Sequence, residues 1–141
     1  MITGQVPRVS DFEKGFPIHY AEREGGWELD PWIHDDQAIV MKVRGKGLVV
    51  LTGCGHAGLI NILTHARTLA SGEQIHAVLG GFHLTGGLFD ALIPRTVREL
   101  QQFSPAVVVP AHCTGWKATH AIAAAMPDAF VQNSVGTTFI L

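Results

Sequence analysis

The sequence has little cysteine, little charge and no long apolar run. Only two of its 141 residues are cysteine, Cys54 and Cys113, which is too few for the disulfide framework of a small secreted protein. The longest apolar runs, such as residues 106–111, are far shorter than the roughly 18 residues that span a bilayer. The 10 Lys and Arg residues against 12 Asp and Glu give a formal net charge of −2, with no basic stripe that would bind nucleic acid. We therefore expect a protein of a reducing compartment, the cytoplasm, with neither a membrane nor a nucleic acid as its partner.

Apolar residues and glycine are plentiful by comparison. Hydrophobic residues make up 47% of the chain and charged residues 16%, which is the composition of a globular protein that buries a core. The 16 glycines suit a fold with many turns between strands and helices, where the backbone often takes a positive φ. The length fits one domain over residues 1–141.

The spacing of the apolar residues predicts an irregular lead-in over residues 1–36, which is broken by proline and glycine and has no regular period. Residues 37–141 then predict the order β-β-α-β-α-β-α-β-β, an α/β unit whose helices cover a sheet. The first helix, over residues 59–70, has a polar face that includes Asn61 and His65. The last two strands are expected at 130–132 and 137–141.

Three turns of the predicted fold each present a histidine directly after an apolar strand. The histidines are His56, His83 and His112, in the segments TGCGH, GGFH and PAHC. Ligands of open α/β sheets bind beyond the carboxyl ends of the strands, where all three turns are expected to lie. A single histidine at such a place is more often a hydrogen-bonded loop residue. Three at equivalent positions favour a site for a divalent metal, with zinc, iron or manganese as the candidates.

Other residues near these turns have both a chemical and a purely structural interpretation. Cys54 and Cys113 lie beside two of the histidines, either as thiol groups of the site or as small buried residues. Asp35 and Asp36 could orient a metal ligand, although a polar lead-in to the next strand is the simpler interpretation. The Gly86-Gly87 pair could cradle a phosphate, but no nucleotide-binding fingerprint is complete.

Four segments carry a resemblance that covers nearly the whole chain: Ile2–Arg8, Gly47–Gly58, Gly80–Leu84 and Val109–Gly115. They resemble the metallo-β-lactamase superfamily, in particular the branch of metal-dependent hydrolases related to 7,8-dihydropterin-6-methyl-4-(β-D-ribofuranosyl)aminobenzene-5'-phosphate synthase. The resemblance implies half of an αββα sandwich, with a mixed sheet and with helices packed on one face. It also implies that the metal lies at the edges of the sheets.

The resemblance assigns roles to four residues. His112 matches the late strand-end histidine that binds the second metal. Cys54 stands where many relatives have a bridging Asp and His56 follows two positions later, so either residue is the expected ligand. His83 matches a histidine of this branch and is expected to be a metal ligand or a catalytic proton-transfer group.

The sequence also departs from the superfamily in one respect, because it contains no His-x-His-x-Asp-His signature, which supplies most ligands of the first metal. We therefore expect the C-terminal half of such a protein, with the other half removed or supplied by another chain. The leading hypothesis is a metal-dependent hydrolase or related transferase, incomplete as an isolated chain, that acts on a small ester, phosphoester or pterin-like substrate.

Two other hypotheses belong to different classes of protein. A non-catalytic half-domain would form a homo-oligomer or pair with a separate N-terminal half, because its apolar sheet face would otherwise be uncovered. A small binding domain without metal would require the three histidines to diverge in space.

Overall fold

The computed structural model describes residues 1–141 and centres on a four-stranded mixed sheet. The strands are β1 (Tyr20–Arg23), β2 (Gly26–Leu29), β3 (Ala38–Val43), β4 (Gly47–Thr52), β5 (Ile75–Gly81) and β6 (Val107–Ala111). The helices are α1 (Leu59–Leu69), α2 (Ile93–Phe103) and α3 (Trp116–Ala125), with single 3₁₀ turns at Asp90–Leu92 and His112–Thr114. None of the helices is both long and apolar enough to cross a membrane.

The sheet has the order β3-β4-β5-β6. Strands β3 and β4 form an antiparallel hairpin, whereas β5 and β6 join β4 in parallel. Parallel strands need a crossover between them, and α1 and α2 provide it. The three parallel strands are nearly continuous apolar runs because they are covered on both sides. The α/β class and the mixed sheet expected from the sequence are confirmed.

The helices pack on one face of the sheet, where 21 buried apolar residues form the main core. The opposite face, which we call the second face, is also apolar. Its buried centre is a separate cluster of four residues, against which Phe139 and Leu141 pack: Val49, Ala77, Leu79 and Val109. Towards the β3 edge this cover ends, and Ile39 and Met41 are 47% and 40% exposed.

The expected terminal pair of strands is wrong. The backbone of Val108 pairs with the chain at Ala129 and Val131, and this single bridge around Phe130 is all the pairing that forms. Beyond it, residues 134–137 turn back on themselves through the N–H of Thr137, which donates to the carbonyl of Ser134. The segment therefore covers the second face with side chains and adds no strand to the sheet.

The lead-in is more ordered than the sequence predicts. Residues 20–29 form the hairpin β1–β2 around Gly25, separate from the main sheet. The segment before it packs on α1 and buries Asn61 completely, so the prediction of a polar helix face at this residue is wrong. The Asn61 amide oxygen accepts hydrogen bonds from the N–H groups of Val9 and Ser10, at 2.9 and 2.7 Å. Asn61 is buried because it joins the lead-in to the helix.

Glu13 makes a second polar connection between the lead-in and α1. Its carboxylate accepts hydrogen bonds from the N–H groups of Ile60 and Asn61, both at 2.9 Å, at the helix N-terminus. These N–H groups have no partner within the helix, so the carboxylate caps them. Burial raises the pKa of Glu13 to about 7, although the two hydrogen bonds and Arg8 act against it.

The buried Glu13 carboxyl is expected to make stability depend on pH. Because its pKa is raised from 4.5 to about 7 by folding, the stability it contributes is fully present below pH 4.5 and is lost as the pH rises through 7. Relative to the Glu13→Gln variant, the parent protein should lose up to about 3 kcal/mol of unfolding free energy over this range. Urea denaturation of both proteins at the two ends of the range measures the difference.

Other titrating groups are common to both proteins, so they cancel in this comparison. The exposed Glu28 provides a matched control, because its conversion to Gln removes a carboxylate that is not buried. A difference between parent and Glu13→Gln that stays constant with pH would contradict the prediction.

Candidate metal centre

The three histidine turns meet at one edge of the sheet. Strands β4, β5 and β6 run in parallel, with Thr52 opposite Gly80 and Gly81 opposite Ala111, so their carboxyl ends are adjacent. The turns that follow carry His56, His83 and His112. The prediction that these histidines share an edge is confirmed. The hypothesis of a small binding domain without metal required the three histidines to diverge in space, and they do not.

Two thiols and one imidazole form the first group at this edge, which we call the thiol–imidazole cluster. The Sγ of Cys54 lies 3.0 Å from Nε2 of His112. The Sγ of Cys113 donates to the carbonyl oxygen of Cys54 at 3.1 Å. The ligand atoms of all three residues lie within 4.8 Å of one another. Of the two alternatives in the first turn, Cys54 and not His56 is the residue in contact with His112.

The main chain at Gly81 sets the distance between the two turns that carry this cluster. Gly81 passes between the turn after β4 and the turn after β6, where its N–H donates to Gly53 O at 2.9 Å. A Cβ atom at this position would come within 2.5 Å of the same oxygen and 2.9 Å of the Cys113 Sγ. Only glycine fits between the two turns at this distance. The sequence signal for this contact is the Gly80-Gly81 pair at the end of an apolar strand.

For Cys113 the sequence leaves open a thiol of the site or a small buried residue and does not include it among the expected metal ligands; the structure places it in the cluster. Burial raises the pKa of the Cys113 thiol to about 11, so without a cation this group stays protonated near neutral pH. The neighbouring His112 is exposed, and its backbone has a φ of +49°. A positive φ is rare for a residue with a side chain, and it costs roughly 1–2 kcal/mol.

The second group consists of His56 and His83, which we call the histidine pair. Their ring centroids lie 4.4 Å apart, and the ring of His83 also contacts Phe16 at 5.1 Å and Phe89 at 4.8 Å. Burial and the nearby His56 lower the pKa of His83 to about 4, so this imidazole is neutral at pH 7. Its Nδ1 atom is buried with no hydrogen-bond partner.

Asp36 holds the turn that carries His56. Its carboxylate oxygens accept hydrogen bonds from the N–H groups of His56 and Ala57, at 3.1 and 3.0 Å, and its side chain is 6% exposed. The Oδ1 atom also lies 3.6 Å from the His56 Nδ1. Burial lowers the pKa of His56, and the charge of Asp36 partly opposes this shift. Asp36 therefore orients His56. From the sequence alone, the simpler interpretation of Asp36 is a polar lead-in to the next strand.

Neutralising Asp36 is expected to disturb both the turn and the histidine. The Asp36→Asn variant replaces one acceptor oxygen with an N–H donor, so one N–H group of the turn is left unpaired, at a cost of about 1–3 kcal/mol in unfolding free energy. It also removes the negative charge that raises the pKa of His56, so this pKa should fall further. Titration of the His56 ring by NMR in metal-free protein measures the shift.

Asp35 supplies the matched control for this variant. It is exposed, and its charge acts on His56 more weakly than that of Asp36. The Asp35→Asn variant should leave stability almost unchanged and should lower the pKa of His56 less. Equal effects of the two substitutions would show that Asp36 has no special role in the turn.

Known proteins resemble this chain over most of its length. No family model matches it. It is 28% identical over 108 residues to the 7,8-dihydropterin-6-methyl-4-(β-D-ribofuranosyl)-aminobenzene-5'-phosphate synthase of Methanocaldococcus jannaschii, a match that covers 77% of this chain and 36% of the synthase. It is 32% identical over 120 residues to an uncharacterised protein of the same organism, covering 84% of this chain and 41% of that protein.

A solved structure matches the fold as a whole. The crystal structure of a metal-dependent hydrolase of the β-lactamase superfamily superposes with a TM-score of 0.83 and 29% sequence identity, over 99% of this chain and 52% of that one. The chain thus spans about half of the solved relative and less than half of the curated ones. Taken with the sheet and the histidine turns, these matches show that the chain belongs to the metallo-β-lactamase superfamily.

Proposed function

We propose that the carboxyl edge of the sheet is a divalent-metal site of a hydrolase or a closely related transferase. The observation that carries the proposal is the thiol–imidazole cluster, in which Cys54 Sγ and His112 Nε2 are 3.0 Å apart and Cys113 Sγ is close to both. The solved relative is described as a metal-dependent hydrolase, which supports the same class of activity here.

The residues present fit a metal ion of the zinc type. Thiolate sulfur and imidazole nitrogen are the donors that zinc prefers, and catalytic zinc sites use three protein ligands. The three ligand atoms lie within 4.8 Å of one another, close enough for a single ion to contact all of them. The buried and unpartnered Nδ1 of His83 is a further polar atom without a role in the fold. Iron also accepts imidazole ligands, whereas manganese prefers carboxylate and water oxygen, so the two thiols favour zinc or iron over manganese.

Some residues of the chain would hold the ion, and the histidine pair would lie beside it. Cys54 and His112 would hold the ion, with Cys113 as the third donor. A bound divalent cation supplies Lewis-acid polarisation of an ester or phosphoester oxygen and eases the deprotonation of water. His83 is neutral at pH 7 because its protonated form would be buried among aromatic rings. A pKa of about 4 makes it a weak base, so its uncharged ring is better suited to offer a nitrogen lone pair to the ion than to accept a proton. His56, held by Asp36, positions the ring of His83 by direct contact.

The substrate we propose is a small molecule that is phosphorylated or pterin-like. The name of the curated synthase includes both a dihydropterin and a phosphate, which supports this choice for the whole protein. Gly86, Gly87 and Lys117 line one cavity of about 290 Å³ at the same edge of the sheet. Backbone N–H groups of glycine turns and a lysine are groups that bind phosphate oxygens. The side chain of Lys117 pairs with Asp90, which also lines this cavity.

Removal of a cluster residue is expected to weaken metal binding. The His112→Ala variant loses a direct ligand, so its affinity for cobalt, used as a spectroscopic substitute for zinc, should fall at least about tenfold. The Cys54→Ser variant should also lose intensity in the thiolate-to-cobalt absorption band. Cobalt titration of each purified protein, followed by its absorption spectrum, measures both effects.

His65 provides a control on α1, away from the cluster. Its Nε2 lies 3.4 Å from the carbonyl oxygen of Thr3, and it contacts none of the three proposed ligands. The His65→Ala variant should therefore bind cobalt like the parent. Equal affinities of the parent and His112→Ala would refute the proposed site.

A half-domain that associates through the second face is a second candidate, and one observation favours it. Ile39 and Met41 are exposed apolar residues on that face, continuous with its buried apolar cluster. Burial of apolar area contributes about 25 cal/mol per Å², so a partner surface would gain from covering them. The same face would serve a second copy of the chain or a separate N-terminal half.

Sedimentation velocity tests this candidate directly. We expect the parent at micromolar concentration to sediment as a species heavier than the 15.2 kDa monomer. The Met41→Asp variant should shift the equilibrium towards monomer, because it introduces a charge into the contact. The Val9→Asp variant, at a residue 66% exposed in the lead-in, should not. A parent that remains monomeric would exclude self-association through this face.

A further inference from the structure

A cavity of about 400 Å³ opens directly beside His112, and neither Cys54 nor Cys113 lines it. Its volume is in the range of pockets that bind small organic molecules. It lies between the first turns of α3 and the segment that follows the bridge at Phe130. His112 forms one end of the cavity, so any occupant would be adjacent to the thiol–imidazole cluster.

Two aromatic rings on α3 form one wall. Trp116 and His120 are one helical turn apart, and their ring centroids lie 5.5 Å from each other at an interplanar angle of 57°. Trp116 is 74% exposed, so most of its surface makes no contribution to the core. An exposed indole face beside a cavity is a surface on which another flat ring can stack.

The remaining walls are apolar or neutral. Ala123 and Phe130 supply apolar surface, and the exposed side chains of Gln132 and Asn133 supply amide groups, each with donors and an acceptor. No Lys, Arg, Asp or Glu side chain lines the cavity. The cavity therefore has no charge that would select an ionic group, whereas its amides can form hydrogen bonds with the edge of an uncharged ring.

From this arrangement we infer that the cavity is a subsite for a planar heteroaromatic ring, which stacks on Trp116 and hydrogen-bonds through its edge to Gln132 and Asn133. The inference rests on the proposed function, because it assigns the ring portion of the substrate to a place next to His112. It adds the residues that would select the substrate, none of which is a proposed metal ligand. Stacking on Trp116 contributes affinity, and the hydrogen bonds of the two amides determine which rings are bound.

The three tryptophans of the chain make the test specific. Neopterin, a soluble bicyclic heteroaromatic compound, is titrated into the metal-free protein while the indole N–H signals are followed by NMR. We expect the signal of Trp116 to shift with saturation, whereas those of Trp27 and Trp32 stay in place. The saturated ring compound myo-inositol should shift none of the three. A titration in which Trp116 does not respond to neopterin would overturn the subsite.

Variants separate stacking from general effects on the fold. Trp116→Ala should weaken neopterin binding at least tenfold, and Trp116→Phe should restore part of the affinity because it keeps a flat ring. Asn133→Ala should weaken binding several-fold. Trp27→Ala is the matched control, since Trp27 is 71% exposed on the separate hairpin, and it should bind neopterin like the parent. Unchanged affinity in Trp116→Ala would contradict the inference even if the Trp116 signal shifts.

The failure of this inference differs from the failure of the proposed function. Cobalt binding reports the thiol–imidazole cluster and neopterin binding reports the subsite, in separate titrations of the same protein. Cobalt binding without a neopterin response would overturn the subsite alone. Neopterin binding at Trp116 without cobalt binding would uphold the subsite and refute the metal proposal.

Discussion

The parallel pairing of β4, β5 and β6 is the constraint on which the site depends. Each strand ends at the same edge, so three short turns that are far apart in the sequence come together there. The ligand atoms of Cys54, His112 and Cys113 lie within 4.8 Å of one another, and the ring centroids of His56 and His83 are 4.4 Å apart. The turns are tied together by the main chain and by Thr114, whose hydroxyl accepts from the N–H of Phe82 and donates to the carbonyl of Ala111. The position of each proposed ligand is therefore set by backbone contacts as well as by its own side-chain rotamer.

The lead-in supports this edge from outside the sheet. Glu13 caps α1, Asp36 holds the turn before it, and Phe16 packs on the ring of His83. The first two contacts hold the turn after β4 and the first turn of α1, and the third is made to the turn after β5. A segment with little regular structure thus fixes the environment of the histidine pair, including the burial that keeps His83 neutral.

The sheet and its helices could be predicted from the sequence because their signals are local. An apolar run bounded by glycine is enough to locate β5, and a 3.6-residue period is enough to locate α2. The common edge of His56, His83 and His112 follows from that topology alone. The grouping within the edge does not, because contact between Cys54 and His112 depends on the close approach of two turns around Gly81. The terminal strands failed for a related reason: residues 130–132 and 137–141 have the composition of strands, but only the bridge around Phe130 pairs with β6.

Contacts of the lead-in could not be predicted because they join residues about 20 to 50 positions apart through single polar groups. Such a contact leaves no periodic trace in the sequence. Asn61 is an example. Its spacing on α1 predicts a polar, exposed face, and only the contact with the lead-in explains why it is buried. Trp116 could not be singled out from the sequence either, because the cavity that it lines is formed together with Asn133, 17 positions later in the chain.

The left-handed backbone at His112 has a consequence for how this protein can change. Its side chain is exposed, so the fold gains little from packing it, while the positive φ is a conformation that glycine adopts without strain. Selection for stability alone would therefore replace the imidazole at this position. Glycine at this position would relieve the strain but would remove the imidazole that we propose holds the metal, so a search for more stable variants of this protein would favour changes at the proposed site.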